Sequence, residues 1–194
     1  KSLLNSSRNY NIKMYISEVV VGETKQNFKK QLSAELQKLR KPISKINEIV
    51  PNELVIDIKE IEQFLIDYDK FYKQLFQNKN ITLLGSNKDH FKEILNRAIE
   101  KKKPFSEGKE EFKDSVIWLT YAEYAEKHNL EDCIFLTSNS KDFCDKDDSS
   151  QIHSDLKKDS SRFKLYNSIW SFYKDNEEYI DNPEIGFNNW IKNE

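Results

Sequence analysis

The chain has 194 residues and a mass of 23.1 kDa, which fits one domain, because single cores stop growing only beyond about 250 residues. With 37% hydrophobic residues, 33% charged residues and a net charge of −2, it holds enough apolar material to fold and no global basic field to draw in nucleic acid. The glycines stand at 22, 85, 108 and 186, too scattered to write a G-x-G-x-x-G turn or a phosphate loop, so dinucleotide-binding and P-loop NTPase chemistry are excluded.

Cys133 and Cys144 form no C-x-x-C, and His90, His128 and His153 complete no zinc spacing. Two cysteines in a chain of this length, with no apolar run near 18 residues and no signal-peptide pattern, predict a soluble cytoplasmic protein that does not enter a membrane.

Along the chain, Ile12 to Ile16 alternate apolar and polar residues, which predicts a strand, and Ser17 follows as an N-cap. Val21, Phe28, Leu32, Leu36 and Leu39 recur at helical spacing as far as Pro42, predicting an amphipathic helix of about 20 residues with Lys25, Lys29, Lys30 and Lys38 on its other faces. Residues 43–80 read as a mostly helical excursion with Ile58, Ile61, Leu65, Tyr68, Tyr72 and Leu75 as its buried stripe. A short strand at Ile81–Leu84 ends in Gly85-Ser86-Asn87, and a helix bearing Phe91, Leu95, Ala98 and Ile99 runs into Lys101-Lys102-Lys103-Pro104-Phe105.

A long helical pattern then spans residues 109–128. The continuous apolar run Cys133 to Thr137 predicts a fully buried parallel strand. Residues 145–161 are polar and serine-rich, the pattern of a surface excursion, before a last strand at Phe163–Tyr166 and a last helix over residues 169–173. In the tail, residues 175–194, Phe187 and Trp190 dock on their own domain or serve a partner. Strands alternating with helices predict one α/β domain over residues 1–194 with a mainly parallel sheet, and such sheets gather ligands beyond the carboxyl ends of their strands.

Three acids stand where such a site would form. From Asp114, helical steps of three, four, seven and eleven reach Ile117, Trp118, Tyr121 and Ala125, so its carboxylate lies on an apolar face and needs a partner or a cation. The alternative is a helix-dipole role in the first turn. Asp142 follows Thr137-Ser138-Asn139 at the mouth of the sheet, with Phe143 free to plug the core, although such clusters also build simple turns. Glu23 lies seven residues beyond Ile16, next to Gly22, which leaves room for a close backbone approach. Three carboxylates sharing one crevice repel one another unless a cation neutralises them, and hard oxygen ligands favour Mg²⁺ or Mn²⁺. Lys101, Lys102, Lys103, Lys109, Lys113 and Lys141 flank this region, either as phosphate contacts or as a solvated face. Lys113 and Lys141 stand next to the acids themselves.

Ile16-Ser17-Glu18-Val19-Val20-Val21-Gly22-Glu23, Pro104-Phe105 followed by Lys113-Asp114-Ser115-Val116-Ile117-Trp118, and Phe135-Leu136-Thr137-Ser138-Asn139-Ser140-Lys141-Asp142-Phe143 together resemble the motifs of PIN-domain nucleases, in particular a bacterial branch of PIN-like proteins. The resemblance extends over roughly residues 12 to 173. It implies a three-layer α/β/α fold with a mainly parallel central sheet and a cluster of acids that binds Mg²⁺ or Mn²⁺ to hydrolyse phosphodiester bonds, usually in RNA. By position, Glu23 is the second acid, Asp114 the third and Asp142 the fourth, with Thr137 and Asn139 as supporting polar groups. The ion would activate a water and stabilise charge on the leaving oxygen.

The family pattern opens with a strand ending in an Asp, whereas no Asp precedes Asp57 here, so either that strand and its acid are expected upstream of Lys1 or this is a degenerate or processed form that does not hold metal tightly. The resemblance further implies a role as a toxin or defence effector, with RNA as substrate, a regulatory protein partner and the option of a homo-oligomer. The alternative is a noncatalytic interaction or RNA-binding module on the same scaffold.

Overall fold

A computed structural model describes residues 12–106, 111–145 and 148–176; the aromatic tail around Phe187 and Trp190 lies outside them. Strand β1 (Met14–Ser17) leads into helix α1 (Glu18–Asn47), followed by α2 (Ile61–Leu75) and β2 (Ile81–Leu84). A 3₁₀ turn at Lys88–His90 precedes α3 (Phe91–Glu100). Then come α4 (Phe112–Lys127), β3 (Cys133–Leu136), the short helices α5 (Ser140–Phe143) and α6 (Ser154–Lys157), β4 (Phe163–Tyr166) and α7 (Ile169–Asp175). No helix among the described residues is long and apolar enough to cross a membrane.

The chain is α/β with parallel strands, but the described strands do not join into the single central sheet expected from sequence. β1 pairs with β2 in register Met14↔Ile81 to Ser17↔Leu84, and β3 pairs with β4 in register Cys133↔Phe163 to Leu136↔Tyr166, giving two two-stranded parallel sheets. A side chain occupies the far edge of β1. The Met14 N–H donates to Asn80 on the β2 side, so the alternation of a parallel ladder turns the Ser17 N–H outward, where it donates to the Tyr121 hydroxyl at 2.9 Å. The Tyr121 ring in turn meets Phe135 of β3 with centroids 5.9 Å apart. One helix, α4, therefore bridges both pairs.

Why α4 sits there follows from its residues. Trp118, Ala122 and Ala125 recur at intervals of four and three and are almost completely buried. The Trp118 ring packs against Phe135 and Phe163 at 5.5 and 5.3 Å, and its indole N–H donates to Asp159 at 2.7 Å. Asp159 also accepts from the buried Arg97 at 2.5 Å, and Arg97 further donates to Glu93 and to the Lys103 carbonyl. Burial pushes the Asp159 carboxyl above its ordinary range, opposed by these two donors.

Several local expectations need correction. Helix α1 runs through Pro42 to Asn47. Proline removes a single ladder bond near the end of the helix, while Ile43 and Ile46 continue the apolar stripe of Leu36 and Leu39. Within the 43–80 excursion, residues 51–60 carry no helix, so Ile58 falls outside the predicted stripe. Strand β3 is not buried on both faces, because Ile134 and Leu136 are each 42% exposed; α4 covers only the face that carries Phe135. The polar stretch at 145–161 is anchored to the core rather than looping over it, since Ile152 and Leu156 are buried and the His153 N–H donates to the Phe143 carbonyl. The Ser17 N-cap is present, its hydroxyl accepting from the Val19 N–H.

Because Trp118 fills the core and satisfies Asp159, Trp118→Ala should lower the free energy of unfolding by about 3–5 kcal/mol, read from urea denaturation followed by circular dichroism. A loss below about 1 kcal/mol would show that this indole does not organise the core.

Candidate functional site

Two of the three acids singled out in the sequence meet in space. Asp114 occupies the first turn of α4, and Asp142 lies on α5, immediately beyond the carboxyl end of β3. Glu111, the residue just before α4, joins them, so that one carboxylate oxygen from each of Glu111, Asp114 and Asp142 lies within 4.8 Å of the others. Asp142 is buried, while Glu111 and Asp114 are partly exposed.

Thr137 and Asn139 lie in the loop that delivers Asp142. The Thr137 N–H donates to the Tyr166 carbonyl, prolonging the β3–β4 ladder by one residue, and the Thr137 hydroxyl accepts from the Asn139 N–H at 3.1 Å. This turn starts α5 at Ser140. Phe143 is 1% exposed and packs edge-on against Phe135 at 4.9 Å, so its insertion into the core fixes where the preceding carboxylate stands. The Thr137 hydroxyl and the Asn139 N–H thus act by fixing the course of this loop.

Glu23 stands on the first third of α1, outside the 4.8 Å group. Its carboxylate forms an ion pair with Lys113, and this neighbour holds the Lys113 ammonium above the ordinary lysine range. Glu23 still bears on the site, because its charge is among those that act on Asp114. The space expected beside Gly22 is not used, as an added Cβ there would meet nothing within 4 Å. Lys141 is exposed, and its backbone carbonyl accepts from the Lys103 ammonium at 2.7 Å.

The electrostatic consequence falls on Asp114. Its carboxyl is pushed from the ordinary 3.8 up to about 7, first by burial, then by a hydrogen bond shared with Glu111 and by the charges of Glu111, Asp142 and Glu23. A hydrogen bond between two carboxyl groups requires a proton on one of them, so without a cation the cluster relieves its repulsion by holding a proton. A divalent ion would relieve the same repulsion with both groups ionised. The donor set is three closely spaced carboxylates with no thiolate or imidazole among them, which suits a hard cation with oxygen ligands.

Glu111 is not among the acids that stand out in the sequence. The available signal was the Glu111-x-x-Asp114 spacing, which places two acids on one side of a helix start; the apolar face of α4 drew attention to Asp114 alone.

In the metal-free protein, Asp114→Asn should raise the melting temperature, and the gain should widen as pH rises from 5 to 8. Between the unfolded value of 3.8 and the folded value of about 7, the folded parent binds more protons than the unfolded chain, so its stability falls as pH rises, a loss the Asn variant does not share. Melting curves in EDTA across this range measure the effect; a gain independent of pH would show that Asp114 titrates as an ordinary carboxylate.

Compared with known proteins, the chain matches a family model described as PIN domain over residues 1–143. No curated protein and no solved structure matches it. The family match covers most of the chain, including α1, α4 and the loop that carries Asp142, and the chain belongs to the PIN domain family.

Proposed function

We propose that this chain is a divalent-metal-dependent ribonuclease whose metal is held by Asp114, Asp142 and Glu111, with Glu23 at the margin of the site. The single observation that carries this reading is the convergence of three carboxylates within 4.8 Å beyond the end of β3 in a member of a nuclease-type family. The raised Asp114 carboxyl supports it, because a group that holds a proton near neutral pH marks excess negative charge in want of a cation.

The division of labour among the residues follows from their positions. Asp142, buried and backed by Phe143, is the fixed ligand. Asp114 and Glu111 flank the opening and complete the anionic pocket. Glu23 adds negative charge and pairs with the exposed Lys113, the neighbour of Asp114 in the chain, whose ammonium can meet a substrate phosphate. When bound, Mg²⁺ or Mn²⁺ would supply activation of the attacking water and neutralisation of charge on the leaving oxygen. In this reading the carboxylates act as ligands, and the reaction is a direct hydrolysis without a covalent protein intermediate.

The expected result is cleavage of single-stranded RNA in Mg²⁺ or Mn²⁺, abolished by EDTA and reduced at least a hundredfold by Asp114→Asn and by Asp142→Asn. Gel assays on a labelled oligoribonucleotide provide the measurement, and cleavage that survives both substitutions would overturn the assignment. Metal binding has its own readout. Mn²⁺ at about a hundred times its dissociation constant should stabilise the parent by about 2.7 kcal/mol, and calorimetric titration should show Glu111→Gln weakening binding more than Glu23→Gln.

A further inference from the structure

An acidic site repels a polyanionic substrate, so attraction must come from elsewhere on the molecule. Helix α1 supplies it. Residues 24–47 carry seven basic side chains against a single acid, Glu35, although the whole chain has a net charge of −2. Their placement is ordered. Positions 23, 27, 30, 34, 38, 41 and 45 follow one another at intervals of four and three, which puts Glu23, Asn27, Lys30, Ala34, Lys38, Lys41 and Lys45 on one face of the helix. Beyond Glu23 this stripe has four lysines and no carboxylate, and every residue from Asn27 onward in it is exposed.

The opposite side of α1 is the one that packs. Phe28 meets Tyr68 of α2 at 5.0 Å, Thr24 accepts from the Tyr68 hydroxyl, and Lys25 and Arg40 pair with Asp69 and Glu60. Helix α2 therefore meets the apolar side of α1 at Phe28 and takes up Lys25, and Glu60 just before α2 takes up Arg40, leaving the lysine stripe facing solvent. Of the stripe, Lys38 pairs with Glu35, and among the described residues Lys30, Lys41 and Lys45 have no ion-pair partner. From Lys30 to Lys45 the stripe spans about 22 Å, at 1.5 Å per residue. Its inner end is Glu23, whose charge is felt at Asp114.

We infer that this stripe is a rail for the phosphate backbone of single-stranded RNA, which lies along α1 and enters the acidic pocket past Glu23. The inference rests on the ribonuclease reading for the direction of travel, but the rail itself is a binding surface. Lysines spaced along one helix face neutralise successive phosphates without reading bases, so binding is sequence-tolerant and falls steeply with salt.

The test uses the full chain, a 20-nucleotide 5′-fluorescein oligouridylate, EDTA to prevent cleavage, and anisotropy from 25 to 200 mM KCl. The triple variant Lys30→Gln, Lys41→Gln, Lys45→Gln should bind at least tenfold more weakly at low salt, and its log–log salt slope should be shallower by about 2, at roughly 0.7 per lost lysine contact. Lys70→Gln with Lys73→Gln on α2 should change neither, and circular dichroism should show both variants folded. Unchanged RNA binding by the folded triple variant, with cleavage by the parent still abolished by Asp114→Asn, overturns the rail and leaves the ribonuclease reading standing. Weakened RNA binding by the triple variant, when the parent cuts no RNA, supports the rail and overturns the ribonuclease reading. If the triple variant loses affinity for polyglutamate and keeps its affinity for RNA, the stripe serves an acidic protein and the proposal is wrong.

Discussion

Helix α4 lies against both pairs of parallel strands, and the position of almost every functional group depends on that contact. Its Tyr121 hydroxyl takes the outward N–H of Ser17 while the same ring rests on Phe135, so a single side chain ties β1 to β3. A turn away, Trp118 fills the space between Phe135 and Phe163 and satisfies Asp159, which Arg97 also holds. The amino-terminal turn of this helix is then carried to the carboxyl end of β3, bringing Asp114 to Asp142. Packing and chemistry share one element: the apolar residues of α4 set its position, and the acid in its first turn inherits that position.

The acid cluster shows how folding accumulates an electrostatic cost that a ligand can relieve. Glu111 and Asp114 start the helix, where its dipole favours negative charge, and Asp142 is pressed toward them by the insertion of Phe143 into the core. Each placement is locally favourable or neutral. Together they leave carboxylates so close that Asp114 retains a proton toward neutral pH. Lys113 relieves part of the field by pairing with Glu23 on the neighbouring helix, yet the three acids within 4.8 Å still present an opening suited to a divalent cation.

Helix α1 extends the same logic of divided faces over a longer distance. Its contacts with α2, through Phe28, Tyr68 and the Lys25–Asp69 pair, lie on its apolar and mixed side, so the opposite side is free of that packing demand. Unconstrained by a core, that side carries a run of lysines whose like charges tolerate one another because water screens them. Segregating positive charge on the arm and negative charge at the pocket gives a chain of nearly zero net charge a strongly polar surface.

The residues themselves foretold much of this architecture. Alternation at Ile12 to Ile16, the Ser17 cap, the stripes of α1 and α4 and the pairing-prone runs at Ile81, Cys133 and Phe163 all express preferences settled within a turn or a few strand residues. The same local reading placed Asp114 on an apolar face and Asp142 after a strand. The pairing of the described strands two by two, the core anchoring of Ile152 and Leu156, the pairing of Glu23 with Lys113 and the presence of Glu111 beside Asp114 were not written in those local preferences. Those features depend on contacts between elements far apart in sequence, where a side chain's neighbours are set by how helices and strands dock. Periodicity therefore determined which residues would be helical, extended or inward-facing, and only the docking of α4 between the strand pairs decided which acids came within reach of one another.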